Sequence, residues 1–134
     1  MEGNKKGEQN MRKICVITGG GSGMGLATAK VMGSDYYIII CGRNPKKLEE
    51  AAIELRAQGI QAEAYPCDVS DRTSVEKLAS YAKAKGTVAA VIHAAGMSPH
   101  MGDAKTIMEV NALGTIYINN AFYKVMEELS LIHI

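Results

Sequence analysis

Short apolar runs alternate with longer charged segments along most of this chain, and no other sequence feature constrains the fold as strongly. Four runs have the length and β-branched content of buried strands, at 13–18, 36–41, 60–67 and 87–95. The segments between them have helical periodicity, and one begins at the capping pair Asn44-Pro45. Strands that alternate with helices predict a parallel sheet covered by helices on both faces. The predicted fold is therefore an α/β doubly wound parallel sheet.

The pattern also predicts where the later elements lie. Ser70 or Thr73 is expected to begin the third helix, and a long amphipathic helix is expected from about 105 to 129. We expect the sheet to be truncated after the fourth strand and this helix. The apolar run Leu131 to Ile134 begins a fifth strand or is a tail foreign to the gene. Without a fifth strand, the fourth would be an exposed apolar edge that favours self-association.

Composition limits the classes of protein that this chain can belong to. The 134 residues, 47% of them hydrophobic, predict one domain over 11–134 after a polar tail, residues 1–10, that we expect to be disordered. A net charge of +1 gives no reason to expect nucleic acid or an anionic membrane as a partner. The three cysteines are too far apart in the sequence for a disulfide framework or a zinc site. We expect a cytoplasmic protein without a metal.

A glycine-rich run, Thr18 to Gly25, separates the first predicted strand from the first helix. Glycines at such a junction permit a tight turn, the approach of a pyrophosphate to the backbone, and close packing of the helix on the strand. The helix N-terminus then directs free N–H groups at the anion. The alternative is a flexible turn, but the strand before the run and the helix after it favour a nucleotide site on a Rossmann-like sheet.

Four motifs in order resemble those of the short-chain dehydrogenase/reductase family. The run Thr18-Gly-x-x-x-Gly-x-Gly25 resembles its cofactor signature, and Cys67-Asp68-Val69 resembles the position whose aspartate meets the adenine amino group. His93-Ala94-Ala95-Gly96 resembles its Asn-Asn-Ala-Gly motif, and the segment 110–114 resembles the one that carries a helix asparagine. The resemblance covers the first half of a family member. With the residues after the second strand, it implies these cofactor-binding residues: Gly19, Gly21, Ser22, Gly23, Met24, Gly25, Arg43, Asn44, Asp68, Val69, Ala94, Ala95 and Gly96.

The end of the second strand indicates which nicotinamide cofactor is bound. A carboxylate there usually holds the ribose 2′-hydroxyl of NAD, but no Asp or Glu occurs between Tyr36 and Lys47. The Arg43 guanidinium can bind a 2′-phosphate through paired N–H groups, and Lys46 and Lys47 add positive charge. The alternative is that these cations form an ordinary solvated helix start. The sequence favours NADP(H).

The resemblance implies a catalytic Ser, a Tyr and a Lys four residues later, and an Asn that holds a water. Only the Asn has a counterpart, Asn111, because the family's other groups follow this helix. Tyr81 and Lys85 have the Tyr-x-x-x-Lys spacing, but their helix precedes the fourth strand and starts from the flank of the sheet. We interpret His93 as a structural residue rather than a proton carrier.

Two cysteines end neighbouring strands close to the expected adenosine site. We interpret Cys41 and Cys67 as small core residues, the alternative being thiols that control cofactor binding.

The function that the resemblance implies is an NADP(H)-dependent oxidoreductase that reduces a carbonyl or oxidises a secondary alcohol of a small molecule. We expect a homo-oligomer. The 134 residues by themselves are expected to bind the cofactor without turnover. The alternatives are a non-catalytic NADP(H) sensor that regulates a partner and a remnant without function.

Overall fold

The computed structural model describes residues 13–96, 102–126 and 131–133, which form a parallel sheet flanked by helices. The predicted tail, residues 1–10, lies outside the described residues. The strands are β1 (Ile14–Thr18), β2 (Tyr37–Gly42), β3 (Ala62–Pro66), β4 (Val88–His93) and β5 (Leu131–His133). The helices are α1 (Gly23–Met32), α2 (Pro45–Ala57), α3 (Arg72–Lys85), α4 (Ala104–Met108), a π-helical turn (Glu109–Leu113) and α5 (Gly114–Tyr123). The strand order is β3-β2-β1-β4-β5, and every pair is parallel. The predicted α/β doubly wound sheet is confirmed.

Two apolar cores lie on opposite faces of the sheet, because successive strand residues point to opposite sides. Cys15 and Ile17 of β1 pack with α1 and α2 on one face. Ile14 and Val16 pack with α3 and α5 on the other face. All five residues of β1 are buried, since helices cover the strand on both sides.

Side-chain caps fix the beginnings of α2 and α3. The Asn44 side chain accepts hydrogen bonds from the backbone N–H groups of Lys46 and Lys47, as the sequence predicted for the Asn-Pro pair. Asp71, rather than Ser70 or Thr73, precedes α3, because its carboxylate accepts from the Thr73 N–H at 3.0 Å. The boundary of α3 was therefore predicted to within a residue or two, but its cap was wrong.

The chain after β4 differs from the prediction in two respects. The expected single helix is instead α4, the π-helical turn and α5, and α5 ends at Tyr123; residues 127–129 lie outside the described part. Leu131–His133 forms β5 and pairs with Val91–His93, so that the alternative of a fifth strand holds. The expectation that β4 is an open edge was wrong over these three residues.

At the other edge of the sheet, the Glu63 carboxylate joins β3 to its neighbours. It accepts hydrogen bonds from the hydroxyls of Tyr37 and Tyr81, and the Lys85 ammonium lies 2.8 Å from it. The Glu63 side chain is only 15% exposed. Partial burial raises the pKa of this carboxyl, but the bonds from Lys85 and the two tyrosines outweigh burial and lower the pKa overall. The cluster therefore stabilises the fold in the ionised form of Glu63.

We predict that Glu63→Gln lowers the free energy of unfolding at pH 7 by about 1–3 kcal/mol, because two partly buried tyrosine hydroxyls and the Lys85 ammonium lose their charged acceptor. A lowered folded-state pKa stabilises the protein above the unfolded value of 4.5, and this stabilisation is lost as the pH falls through the folded-state pKa. Urea unfolding at pH 7 and over the acid range measures both effects.

The matched control is Glu54→Gln, since Glu54 pairs with Lys30 on the surface and is 46% exposed. Equal losses in the two variants, or an unchanged acid dependence in Glu63→Gln, would contradict the role given to the cluster.

Candidate functional site

A cleft of about 270 Å³ opens at the carboxyl ends of the strands, where the chain order reverses between β1 and β4. Ligands of open α/β sheets bind at such a switch point. The loops that follow β1, β2, β3 and β4 and one residue of the π-helical turn line the cleft. These residues are Gly19, Ser22, Met24, Gly25, Gly42, Arg43, Cys67, Asp68, Val69, Ala94, Ala95, Gly96 and Val110.

Most of the residues predicted to bind a cofactor line this cleft, and three do not. Gly21 faces Leu48 of α2, and Gly23 begins α1 with a φ of +58° and open space around it. The Asn44 side chain caps α2. Gly42, Cys67 and Val110 line the cleft in addition. Each of these three is next in sequence to a predicted residue. The motifs therefore predicted correctly which loops form the cleft, and less exactly which residues of those loops line it.

Two glycines allow α1 to lie directly on the end of β1. A Cβ on Gly25 would lie 2.0 Å from the carbonyl oxygen of Gly19, which no side chain can do. Gly19 has a φ of +68°, and a Cβ there would lie 2.8 Å from the Ala95 nitrogen. The wall of the cleft is therefore a contact of backbone on backbone.

The N-terminus of α1 borders the cleft. Ser22 precedes the helix in an extended conformation, and its side chain makes no capping hydrogen bond. The first N–H groups of a helix have no partner within the helix, and the helix dipole is positive at this end. Ser22, Met24 and Gly25 line the cleft, so this end of α1 is suited to a phosphate group.

Asp68 is held rigidly at the cleft by its neighbours. One oxygen of its carboxylate accepts from the N–H of Ser70 at 3.0 Å and from the hydroxyl of Ser70 at 2.7 Å. The Asp68 N–H donates to the Ser74 hydroxyl. This arrangement fixes the carboxylate as an acceptor for a donor group of a ligand, such as an exocyclic amine.

Arg43 lies on the exposed rim of the cleft, directly after β2. No ion pair within the described part of the chain involves its guanidinium. Lys46 and Lys47 are exposed in the first turn of the adjacent α2. The rim is therefore positively charged where the sequence lacks a carboxylate.

Below the cleft, a buried pair of side chains joins β1 to β4. The Thr18 hydroxyl oxygen lies 2.7 Å from Nδ1 of His93 and accepts a hydrogen bond from the Ala95 N–H at 3.1 Å. Thr18 is completely buried, and His93 is 2% exposed. Neither residue lines the cleft, so the interpretation of His93 as a structural residue agrees with its position.

Asn111 lies in the π-helical turn opposite the end of β4. A Cβ on Gly96 would lie 3.4 Å from the Asn111 side-chain oxygen, so this amide faces the backbone of Gly96. Gly114 ends the turn against Val69, and its N–H donates to the carbonyl of Glu109. Such turns are frequent at functional sites, and this one places Asn111 beside the lining of the cleft.

The Tyr81–Lys85 pair belongs to the Glu63 cluster and does not line the cleft.

The cysteine thiols are free and buried. Burial raises the pKa of Cys15 to about 12 and raises the pKa of both Cys41 and Cys67. Raised values keep the thiols protonated, which favours the interpretation of these residues as core side chains.

The fold and the cleft together define an α/β domain of the doubly wound type that commonly binds nucleotides. The model of the short chain dehydrogenase family matches residues 13–130. The chain belongs to the short-chain dehydrogenase/reductase family.

Two curated relatives show the extent of the similarity. The chain is 34% identical to a 2,3-dihydro-2,3-dihydroxybenzoate dehydrogenase of Bacillus subtilis over 70% of this chain and 36% of that protein. It is 30% identical to an uncharacterized oxidoreductase of Staphylococcus aureus over 91% of this chain and 56% of that protein. The chain therefore spans about a third to just over half of the length of these relatives.

Solved structures share the fold. A short-chain type dehydrogenase/reductase from Mycobacterium ulcerans has a TM-score of 0.78 and 27% identity, over 87% of this chain and 47% of that one. The apo form of LigD from Sphingobium has a TM-score of 0.84 and 25% identity, over 92% of this chain and 59% of that one.

We predict that Gly25→Ala lowers the free energy of unfolding by about 1–3 kcal/mol, because its Cβ cannot fit against the Gly19 carbonyl unless α1 moves. The control is Gly21→Ala, whose Cβ would make an ordinary 3.5 Å contact with Leu48. Chemical denaturation of both variants measures the difference. Equal stability of the two variants would show that α1 is not held by this contact.

Proposed function

We propose that this chain binds NADP(H) in the cleft and supplies the cofactor-binding part of an oxidoreductase that reduces a carbonyl or oxidises a secondary alcohol. The observation that carries the choice of NADP(H) is Arg43. Its guanidinium lies on the rim of the cleft without an ion pair to any described residue, and the sequence has no carboxylate nearby. A carboxylate at this position would repel a 2′-phosphate, whereas a guanidinium binds one through two parallel hydrogen bonds.

Different residues around the cleft would bind different parts of the cofactor. The N-terminus of α1, with Ser22 and Met24, would hold the pyrophosphate. Asp68 would accept a hydrogen bond from the adenine amino group, and Arg43 would bind the 2′-phosphate. Other predicted residues would form the walls, namely Gly19, Gly25, Val69, Ala94, Ala95 and Gly96. Gly21 and Gly23 would determine the shape of the loop after β1, and Asn44 would determine the shape of the loop after β2.

Bound NADPH would supply the hydride in carbonyl reduction and NADP⁺ would accept it in alcohol oxidation, and the protein would correspondingly supply or accept the proton. Of the family's catalytic groups, only the asparagine has a counterpart in this sequence, Asn111. Its amide lies beside Gly96 and is suited to hold a water for proton relay. The family's Ser, Tyr and Lys would come from the part of the relatives that follows the matched region. Residues 1–134 by themselves are therefore proposed to bind the cofactor without turnover.

The proposed substrate is a small carbonyl compound or alcohol. A non-catalytic NADP(H) sensor would use the same cleft, but the position of Asn111 favours the enzyme.

No helix in the described part of the chain is long and apolar enough to cross a membrane. We also propose a homo-oligomer in the cytoplasm that does not bind nucleic acid. The exposed apolar side chains of Met108, Ile116 and Tyr123, which are 62%, 49% and 84% exposed, support association with another chain.

We predict that NADPH binds to the purified chain at least about tenfold more tightly than NADH, which corresponds to about 1.4 kcal/mol. Arg43→Ala should remove this difference by weakening NADPH while NADH is unchanged. Titration followed by the fluorescence of the cofactor measures both, and the chain has no Trp to interfere.

The matched control for Arg43→Ala is Lys83→Ala, which removes the same charge from the exposed surface of α3. An equal loss of NADPH affinity in the two variants would indicate general electrostatic attraction rather than recognition of the 2′-phosphate. Absence of binding of either nucleotide to the unaltered chain would contradict the proposed function for these residues.

A longer protein that contains this region and a later Ser and Tyr-x-x-x-Lys should oxidise NADPH in the presence of a carbonyl compound. In that protein Tyr81→Phe should change kcat by less than about twofold, because Tyr81 donates to Glu63 and lies outside the cleft. The decrease in absorbance at 340 nm measures the rate. Loss of activity in Tyr81→Phe, with the fold retained by circular dichroism, would show that the Tyr81–Lys85 pair is catalytic.

A further inference from the structure

The last residues of β1 and β4, Thr18 and His93, are directly paired in the sheet. The cleft opens immediately beyond this pair, because Gly19 follows one strand and Ala94 the other. The two side chains are buried and do not line the cleft. Any effect that they have on a bound cofactor must therefore pass through the backbone that follows them.

The hydrogen bonds of this pair favour one direction of donation, from the Thr18 hydroxyl to His93. A hydroxyl has one proton to donate and two lone pairs to accept with. The Thr18 oxygen accepts from the Ala95 N–H, and within the described residues the only acceptor for its proton is Nδ1 of His93, at 2.7 Å. A hydroxyl that donates to Nδ1 and accepts from the Ala95 N–H uses both of its roles, so this network favours the imidazole tautomer with its proton on Nε2.

The bonded Thr18 hydroxyl in turn fixes one wall of the cleft. The Ala94 N–H donates to the Thr18 carbonyl at 3.2 Å, and the Ala95 N–H donates to the Thr18 hydroxyl. A Cβ on Gly19 would lie 2.8–2.9 Å from the backbone atoms of Ala94 and Ala95. Because the glycine loop rests on this peptide, a shift of Ala95 is expected to displace the loop that lines the cleft.

We propose that His93 is a positioning residue of the cofactor site. Its Nδ1 accepts a hydrogen bond from the Thr18 hydroxyl and so directs the Thr18 oxygen at the Ala95 N–H, which holds the 94–95 wall against Gly19. This inference rests on the proposed binding of NADP(H). What it adds is a buried imidazole that acts on the cofactor through Thr18 without contacting it.

Asn and Leu at position 93 test the proposal as a matched pair. His93→Asn keeps an acceptor, because the Asn side-chain oxygen occupies the same δ position as the imidazole Nδ1. His93→Leu has a similar branched shape without a polar atom. NADPH affinity should stay within about threefold of the original in His93→Asn and weaken about tenfold in His93→Leu.

A second readout needs no cofactor and separates this inference from the proposed function. Amide hydrogen exchange at Ala95, measured by NMR, should remain slow in His93→Asn and become at least about tenfold faster in His93→Leu. Exchange at Ile39 in the centre of the sheet should be unchanged in both, which shows that the fold is intact. If the unaltered chain binds no nucleotide, the proposed function fails, but exchange at Ala95 still decides whether His93 controls this wall.

Thr18→Val and Thr18→Ser keep the test decisive if His93→Leu does not fold. Thr18→Val should reproduce the losses of affinity and protection, and Thr18→Ser should not. Where His93→Leu folds, adding Thr18→Val to it should cause little further loss, because both changes interrupt the same chain of bonds. Two results would overturn the proposal: His93→Asn as damaging as His93→Leu, or variants without the acceptor or the hydroxyl that keep the original affinity and exchange rate.

Discussion

The close packing of α1 on the end of β1 is the constraint on which the cleft depends. The helix can approach only because Gly25 has no side chain to meet the Gly19 carbonyl, 2.0 Å from where a Cβ would lie. Gly19, in turn, rests on the 94–95 peptide after β4. Two glycines thus bring together a helix N-terminus and the ends of two adjacent strands. A larger residue at either position would widen the switch point and move the helix dipole away from it.

The charges around the cleft are separated in a way that matches an asymmetric ligand. Arg43, Lys46 and Lys47 lie after β2, and the N-terminus of α1, the positive end of its helix dipole, borders the cleft. The carboxylate at the cleft, Asp68, follows β3, and its bonds to Ser70 hold it in place. Separation of this kind favours a molecule with a phosphate at one position and a hydrogen-bond donor at another, as an adenosine phosphate has.

Local sequence signals predicted most of the fold correctly. The apolar runs predicted the first four strands. Three of them, β1, β2 and β4, contain almost no polar residues because both of their faces are covered, whereas β3 is a half-buried edge strand. The glycine run and the residues after the strands indicated the loops that form the cleft, since strand order alone brings those loops together. The Asn44-Pro45 cap was also predictable, because the capping side chain acts on its own helix.

What the sequence did not predict depends on contacts between distant residues. The π-helical turn at Glu109–Leu113 has ordinary helical periodicity, and it arises where Gly114 packs against Val69. The cap of α3 could have been any of several polar residues between 70 and 73. The pairing of Leu131–His133 with β4 is three residues long, too short for a periodicity argument. The bond between Thr18 and His93 joins residues 75 positions apart, so no local pattern reveals it.

The geometry also bears on how binding and chemistry are divided in this family member. Every described residue that lines the cleft lies between Gly19 and Val110, and contacts among the described residues hold the loops in place. Asn111 follows directly, with its amide beside Gly96. The shape of the cleft therefore depends on the first four strands and the turn after them. Under the proposed function, groups that follow in a longer protein would act on a cofactor that these residues bind, so affinity for the cofactor and the rate of hydride transfer should respond to different sets of residues.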